Sequence, residues 1–309
     1  MINASTVTVI IGAYNGKSFI QDAIRSVVNQ TFEDWKLIIV DDGSTDETYL
    51  KAKEVRDDRI SLIRLDKNSG SCGLPRNVGI RASKGEFVAF LDADDIWMPE
   101  KLQMQLSAFR QDPETGFVYT KYIRFDDKGD IGSQFFLRGY SGRLFKNLLR
   151  RNFIAPSTVM VKKEVLENVG YFTEDRTLIG SEDYELWLRL AYYYRAAFID
   201  KILMKYRLHP SSVSLLQRDG IHERQIKVLE SAFSKLNVPE KHQKAALSHH
   251  YAVMGRAYLK MQKYDLFEKY TLQSLQLDLN FKAALALFFF QILGTRKFGV
   301  CVKRFQKDV

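Results

Sequence analysis

Residues 86–95 read EFVAFLDADD, a short and largely apolar run that ends in three aspartates. A run of this length is typical of a buried β-strand. Two similar runs also end in polar residues: TVTVII at 6–11 precedes GAYN at 12–15, and WKLIIV at 35–40 precedes DDGS. Because ligands bind at the carboxyl ends of strands in parallel sheets, we expect these three polar clusters to form one site.

Segments with helical spacing separate these strands. In residues 19–29, for example, apolar side chains recur with the three- and four-residue spacing of an amphipathic helix. Repeated β–α units predict an α/β fold, a mostly parallel sheet flanked by helices. The expected strands are 6–11, 35–40, 60–65, 86–91, 116–125, 157–162 and 198–208, and the expected helices in this part are 19–29, 46–56, 74–83, 99–110 and 182–194.

The last part of the chain differs in pattern and in charge. Beyond residue 220 only helical spacing is found, which predicts a C-terminal helical extension with helices at 221–236, 240–261, 264–277 and 281–294. Residues 221–309 contain 15 Lys and Arg against 7 Asp and Glu, whereas residues 1–220 contain 31 against 30. We therefore expect two domains, 1–218 and a basic helical region at 219–309.

Composition excludes several classes of protein. With 309 residues, 46% of them hydrophobic and only 6 Pro, the chain is not disordered or collagen-like. Two cysteines, Cys72 and Cys301, cannot form a disulfide framework and suit a reducing compartment. The N-terminus lacks the basic segment of a signal peptide, and the longest apolar run, 283–293, is too short to span a membrane. These features favour a cytoplasmic protein.

The same apolar run has two interpretations. It contains Phe288, Phe289 and Phe290 and is flanked by basic residues, which suits a helix lying on the cytoplasmic face of an anionic membrane. The alternative is a C-terminal helix that packs its apolar side against neighbouring helices. Both remain open from the sequence, and no nucleic-acid partner is expected.

Aspartates at two strand ends carry the clearest chemical signal. Asp92 and Asp94 form a D-x-D pair, and strand alternation predicts that both carboxylates face the same side. Such a pair suits Mg²⁺ or Mn²⁺, although an acidic surface turn gives the same tripeptide. Asp42 follows another strand and can accept hydrogen bonds from a ribose hydroxyl or a base N–H. The chain lacks the G-x-G-x-x-G and G-x-x-x-x-G-K-[ST] motifs, which argues against a Rossmann dehydrogenase and a P-loop enzyme.

Four motifs in order carry a resemblance to a known family. GAYNG, WKLIIVDDGSTD, LPRNVGIRASKGEFVAFLDADDIWMP and SEDYELWLRL together resemble the family 2 inverting nucleotide-sugar glycosyltransferases, which have the GT-A fold. The resemblance extends over about residues 5–215. Gly12 stands where the family often has Pro, and both residues suit a tight turn.

The resemblance implies a role for each matching residue. It implies a nucleotide-sugar donor, which is expected to be a UDP-sugar, a saccharide or lipid-linked acceptor, and Mn²⁺ or Mg²⁺ as cofactor. Asp183 would be the catalytic base and Asp94 a metal ligand, joined by His209 if the loop after residue 207 closes over the diphosphate. The residues expected to bind substrate are Ala13, Tyr14, Asn15, Asp42, Arg76, Asp92, Glu182 and Arg207.

Some of these assignments have ordinary structural alternatives. Asp183 could serve only as a carboxylate at a helix N-terminus, and Arg207 with His209 could form an exposed loop. Two further functions are considered for the whole chain: another sugar-nucleotide enzyme, such as a nucleotidyltransferase, and a non-catalytic binding scaffold. The absence of a basic Gly-rich loop near the N-terminus argues against the first, and the presence of both Asp94 and Asp183 argues against the second.

Overall fold

The structure is a computed structural model that describes residues 6–131, 139–216 and 220–278, together with Leu287. The chain divides into two compact units between Asp219 and Gly220. We call them the N-terminal unit and the C-terminal unit.

Within the described residues, the N-terminal unit is built on one mixed sheet of nine strands. The strands are β1 (Val7–Ala13), β2 (Trp35–Asp41), β3 (Ile60–Arg64), β4 (Phe87–Asp92), β5 (Ile96–Trp97), β6 (Thr115–Asp126), β7 (Gly129–Ile131), β8 (Met160–Lys162) and β9 (Arg195–Arg207). The helices are α1 (Ile20–Val28), α2 (Thr48–Glu54), α3 (Gly73–Ala82), α4 (Lys101–Gln111), α5 (Phe145–Leu148), α6 (Lys163–Val169), α7 (Glu182–Tyr193) and α8 (Val213–Leu216).

The strand order β3-β2-β1-β4-β8-β6-β9-β5 separates a parallel part from a mixed part, and β7 pairs with β6. Strands β3, β2, β1 and β4 are parallel neighbours. The side chains of β1, β2 and β4 are mostly buried because helices flank the sheet, which explains the continuous apolar runs of the sequence, whereas those of the edge strand β3 are partly or fully exposed. The predicted α/β fold is confirmed.

The register of the parallel strands aligns their polar ends. Gly12 of β1 lies opposite Val40 of β2 on one side and Asp92 of β4 on the other, and Ala13 lies opposite Asp41. Each strand therefore ends at the same level of the sheet, where the polar residues begin.

One predicted strand is shorter than its pattern indicated. Residues 157–162 were expected to be a strand, but Pro156–Thr158 form a single 3₁₀ turn and only β8 pairs with β4 and β6. The turn is closed by backbone hydrogen bonds from Thr158 N to Ala155 O and from Val159 N to Pro156 O. Pro156 suits the first position of such a turn because its φ is fixed and its missing N–H needs no partner.

The C-terminal unit contains α9 (Ile221–Lys235), α10 (Glu240–Lys260) and α11 (Tyr264–Leu277). Helices α10 and α11 approach closely through small residues: a Cβ at Gly255 would lie 2.8 Å from Thr271 Oγ1. Ser274 Oγ donates a hydrogen bond of 2.8 Å to Ser248 O across the pair. The helix predicted at 281–294 lies outside the described residues, apart from Leu287.

Within the described ranges, no helix is both long enough and apolar enough to cross a membrane.

Candidate active site

The loops after β1 and β2 are joined by hydrogen bonds at the carboxyl edge of the sheet. Asp42 N donates to Ala13 O at 2.8 Å, and Asn15 N donates to Ser44 Oγ at 3.0 Å. Asn15 Oδ1 in turn accepts from Thr45 N at 2.9 Å. Asn15 adopts a positive φ of 50°, a conformation that Asn tolerates better than most residues. Two of the predicted substrate-binding segments are therefore held as one rigid edge.

The Asp42 carboxylate is buried and is bound by the segment that follows β3. It accepts hydrogen bonds from Ser69 N at 3.0 Å, Ser69 Oγ at 2.8 Å and Asn68 Nδ2 at 3.0 Å. Burial raises the pKa of Asp42, and the hydrogen bonds from Ser69 partly oppose that rise. Tyr14, by contrast, is 48% exposed, so its ring is free to stack against a ligand. The roles of Asp42 and Tyr14 in donor binding stay predictions.

Arg76 connects two distant carboxylates. Its Nη2 lies 2.6 Å from Asp92 Oδ1, and its Nη1 lies 2.7 Å from Glu182 Oε1. The guanidinium is buried and also lies 5.3 Å from the centre of the Phe172 ring. Both arms of the Arg76 fork are thus held by acidic side chains of the protein, one at the end of β4 and one at the start of α7.

Asp183 is the second residue of α7 and lies beside this cluster. Asn152 Nδ2 donates to Asp183 Oδ2 at 3.2 Å. Burial, followed by the neighbouring charge of Glu182, raises the pKa of Asp183 to about 7, while Arg76 and Asn152 act in the opposite direction. A carboxyl group with this pKa can take up a proton near neutral pH.

One carboxylate oxygen of Glu182 has no hydrogen-bond partner among the described residues. Its Oε1 binds Arg76, whereas its Oε2 is buried and has no hydrogen-bond partner in the described part of the chain. Buried carboxylate oxygens normally have a partner, because an unmade hydrogen bond costs about 1–3 kcal/mol. The Oε2 atom is therefore suited to accept a hydrogen bond from a hydroxyl group of a ligand.

Asp94 lies on a turn, and this corrects the expectation from strand alternation. Strand β4 ends at Asp92, so Asp92 and Asp94 do not occupy alternate positions of one strand. The Asp92 carboxylate contacts Arg76, whereas Asp94 Oδ2 lies 2.8 Å from His209 Nε2. The His209 Nδ1 atom lies 2.9 Å from Ser211 Oγ, which fixes the orientation of the imidazole ring. The two aspartates of the pair thus have different partners.

The donor atoms of Asp94 and His209 fit a divalent cation that is completed by its substrate. Among the described residues, no group of three or more His, Cys, Asp and Glu side chains could hold a metal by itself. One carboxylate oxygen and one imidazole nitrogen leave positions for diphosphate oxygens and water, as is common for Mg²⁺ and Mn²⁺. Imidazole favours Mn²⁺ of the two.

The Arg207 side chain packs around this pair. Its Nε donates to Asp94 O at 2.8 Å, and its Nη2 lies 3.1 Å from Asp22 Oδ2. The guanidinium lies 4.9 Å from the ring centre of Phe19 and 4.5 Å from that of Phe125. Arg207 is the last residue of β9, and these contacts leave its side chain largely buried. Its role in substrate binding stays a prediction.

Sequence reasoning missed three residues in this region. Asp95, Ser157 and Asn152 all contact predicted site residues or their backbone. Asp95 could have been found, because it directly follows the D-x-D pair. Ser157 is the first residue of the strand expected at 157–162 and Asn152 lies outside every expected element, so the sequence contained no signal for a role of either side chain at the site.

One charged network connects the two ends of the site. Asp94 lies two residues after Asp92, and the pKa of Asp92 is raised by burial and by the charge of Asp94, while Arg76 opposes the rise. Asp92 then binds Arg76, Arg76 binds Glu182, and Glu182 adjoins Asp183. A carboxylate–imidazole pair on one side and a carboxyl group with a pKa of about 7 on the other therefore belong to a single cluster.

Comparison with known proteins identifies the family. The family model described as "Glycosyl transferase family 2" matches residues 8–170. The chain is 32% identical over 222 residues to the Escherichia coli protein named UDP-Glc:alpha-D-GlcNAc-diphosphoundecaprenol beta-1,3-glucosyltransferase WfgD, which covers 67% of this chain and 79% of that protein. It is 33% identical over 211 residues to the putative teichuronic acid biosynthesis glycosyltransferase TuaG of Bacillus subtilis, covering 67% of this chain and 81% of that protein.

Solved structures show the same fold at lower identity. The S. aureus TarS fragment 1–349 in complex with UDP-GlcNAc has a TM-score of 0.69 at 18% identity, covering 98% of this chain and 92% of that chain. The mannosyltransferase PcManGT from Pyrobaculum calidifontis, in complex with GDP-Man and Mn²⁺, has a TM-score of 0.59 at 19% identity, covering 93% and 88%. The order of motifs, the GT-A type of sheet and these similarities agree, and the chain belongs to glycosyl transferase family 2 and is a glycosyltransferase.

Proposed function

We propose that the protein is a metal-dependent, inverting glycosyltransferase that moves a sugar from a UDP-sugar to a hydroxyl group of a saccharide or lipid-linked acceptor. The observation that carries the proposal is the network from Asp94 and His209 to Asp183 through Asp92, Arg76 and Glu182. It supplies ligands for a cation at one end and a proton acceptor at the other.

On the donor side, Asp94 and His209 would hold Mn²⁺ or Mg²⁺ against the diphosphate. The cation supplies Lewis-acid stabilisation of the negative charge that develops on the leaving nucleoside diphosphate. The loops of Ala13, Tyr14, Asn15 and Asp42 would bind the nucleoside, because they form the adjoining edge of the sheet.

On the acceptor side, Asp183 would take the proton of the attacking hydroxyl. Its pKa of about 7 suits a general base near neutral pH, and Asn152 orients the carboxyl group. The unpartnered Oε2 of Glu182 would accept a hydrogen bond from a sugar hydroxyl beside it. Attack on the face opposite the diphosphate inverts the anomeric centre in one displacement.

Similarity to WfgD and TuaG guides the choice of substrates. The name of WfgD specifies UDP-Glc and an acceptor on a lipid diphosphate, and that of TuaG specifies teichuronic acid biosynthesis. We extend this to a role in the synthesis of a polysaccharide or a glycolipid. Family membership favours this reaction over nucleotidyl transfer and over a non-catalytic scaffold.

The direct test is a panel of donors. The full chain is incubated with UDP-Glc, UDP-GlcNAc, UDP-Gal or GDP-Man, with Mn²⁺, Mg²⁺ or EDTA, and the release of nucleoside diphosphate is measured with and without saccharide acceptors. We expect release from one or a few UDP-sugars, an increase on addition of acceptor, and loss of activity in EDTA. The anomeric configuration of the product, read by ¹H NMR, is expected to be opposite to that of the donor.

Matched variants connect this activity to the site. Asp94→Asn and Asp183→Asn should each reduce turnover by roughly 10²–10⁴-fold, as is typical when general-base or charge stabilisation is lost. The control is Asp127→Asn, the same substitution on the exposed turn between β6 and β7, which should leave turnover unchanged. Full activity in EDTA would contradict the metal role, and retention of the donor's anomeric configuration would contradict inversion.

We also propose that the protein works in the cytoplasm, with peripheral contact to the membrane through residues 283–293. The sequence carries this part of the proposal, because all of the segment except Leu287 lies outside the described residues. The test is co-sedimentation of the full chain with vesicles of anionic or zwitterionic lipid, compared with a variant in which Phe288, Phe289 and Phe290 are Ala. Equal binding by both proteins would contradict the contact.

A further inference from the structure

The carboxylate of Asp95 forms hydrogen bonds with two other segments of the chain, close to Asp94 and His209. Asp95 is 1% exposed and directly follows Asp94. Its Oδ2 accepts a hydrogen bond from Ser157 Oγ at 2.5 Å, and its Oδ1 accepts one from Arg207 N at 3.0 Å. One side chain is thus bound to the 3₁₀ turn on one side and to the end of β9 on the other.

The Ser157 hydroxyl is itself fixed in place. It is fully buried, donates to Asp95 and accepts from Asp92 N at 2.9 Å, so it bridges the first and last residues of the DADD segment. The Ser157 carbonyl oxygen accepts from Trp97 Nε1 at 2.7 Å. The hydroxyl therefore sets the shape of the turn on which Asp94 lies.

A second connection runs from the turn to β9. Arg207 Nε donates to Asp94 O at 2.8 Å, parallel to the bond from Arg207 N to Asp95. His209 lies two residues beyond Arg207 on the same segment. The hydrogen bonds of Asp95, Ser157 and Arg207 therefore connect the turn that carries Asp94 to the segment that carries His209.

We propose that Asp95 and Ser157 are positioning residues that hold Asp94 and His209 at the spacing needed to bind the donor's divalent cation together. This rests on the proposed function, in which Asp94 and His209 are the ligands. Neither positioning residue contacts the cation or the substrate in this proposal. Partners that orient metal ligands typically contribute 10- to 100-fold to metal affinity, because an unoriented ligand must be ordered when the metal binds.

The test measures the binding of Mn²⁺ rather than activity. The electron paramagnetic resonance signal of free aqueous Mn²⁺ falls as the ion binds, so titration of the full chain in the presence of UDP gives its dissociation constant. The variants are Ser157→Ala, Asp95→Ala and the double variant. We expect each single variant to bind Mn²⁺ at least tenfold more weakly. The double variant should resemble Asp95→Ala, because Ser157 acts mainly through that carboxylate.

The matched control is Ser83→Ala. Ser83 is also buried, and its hydroxyl donates to a backbone carbonyl, Ile80 O, at 2.7 Å, at the end of α3. This variant loses one buried hydroxyl and one hydrogen bond but should bind Mn²⁺ like the unsubstituted protein. The melting temperature of each variant is recorded to show that it is folded.

Two outcomes overturn the proposal in different ways. If Ser157→Ala lowers the melting temperature but retains the Mn²⁺ dissociation constant within twofold, the residue is only structural and the positioning role is wrong. If the unsubstituted chain with UDP binds no Mn²⁺, the metal role of Asp94 and His209 is wrong as well. Should Asp95→Ala fail to fold, Ser157→Ala decides the question by itself, since it removes a hydrogen bond on which the proposed spacing depends.

Discussion

Replacement of Asp183 by Asn should make the N-terminal unit more stable while it greatly reduces turnover. In the native protein the pKa of Asp183 is about 7, whereas its ordinary value is 3.8. The folded state therefore retains the proton over a pH range in which the unfolded chain has lost it. Stability consequently falls as the pH rises from about 4 to about 7 and then levels off.

The size of the effect follows from the same two values. Each pH unit in this range lowers the unfolding free energy by about 1.4 kcal/mol, so the full cost above pH 7 is about 4 kcal/mol. Asn cannot ionise, but its amide group fits the donors from Asn152 and the Tyr184 backbone less well, which costs about 1–2 kcal/mol. We expect Asp183→Asn to be more stable than the unsubstituted protein by about 2 kcal/mol at pH 8.

The assay can be confined to one unit of the protein. All three tryptophans, Trp35, Trp97 and Trp187, lie in the N-terminal unit, so their fluorescence reports urea unfolding of that unit. Unfolding curves are recorded at pH 5, 6, 7 and 8 for the unsubstituted protein, Asp183→Asn and Asp127→Asn. The stability difference between the first two should grow by about 2–3 kcal/mol from pH 5 to pH 8. A difference that is independent of pH would refute the reasoning, because it would mean that Asp183 ionises in the folded state as it does in the unfolded chain.

Three further predictions concern single side chains, each measured by the same fluorescence-detected unfolding at pH 7. Arg76→Met should destabilise the unit by about 3–5 kcal/mol because it leaves the buried carboxylate of Glu182 and the partly buried one of Asp92 without their cation; a loss below about 1 kcal/mol would contradict the pairing. Gly43→Ala should cost about 1–3 kcal/mol, since φ is +66° there and a Cβ would overlap the backbone near residue 67; an unchanged midpoint would contradict this strain. Lys101→Met should leave the unfolding free energy unchanged or raise it. The Lys101 amino group is fully buried, its partners among the described contacts are only Gln105 Oε1 and the Trp97 ring, and burial lowers its pKa. A loss of more than about 3 kcal/mol in unfolding free energy would contradict this prediction.

The parallel part of the fold was predictable because its signals are local. The runs before Gly12, Asp41 and Asp92 are apolar, short and followed by polar residues, which is what a strand buried on both faces requires. Strand β8 has only three residues and follows the 3₁₀ turn that begins at Pro156. So short a strand has almost no periodicity, and the predicted strand therefore wrongly included the turn.

Candidate site residues could be selected from the sequence where a carboxylate follows a strand or begins a helix. Asp94 and Asp183 were selected on that basis together with a family resemblance. The orientation of the Asp94 side chain could not be predicted, because the strand ends at Asp92 and Asp94 lies on a turn. Its carboxylate contacts His209, which is 115 residues away along the chain. Asn152 was missed since its only site contact, with Asp183, depends on how a loop folds and not on spacing.

The ion pairs of Arg76 join segments of the chain that the ribosome makes at different times. Asp92 is 16 residues away along the chain, but Glu182 is 106 residues away and lies beyond residue 170, where the family match ends. A growing chain that has just passed residue 170 holds all strands of the parallel half but neither Glu182 nor Asp183. A nascent chain in which α7 has not yet emerged therefore lacks both the second carboxylate partner of Arg76 and the proposed proton acceptor.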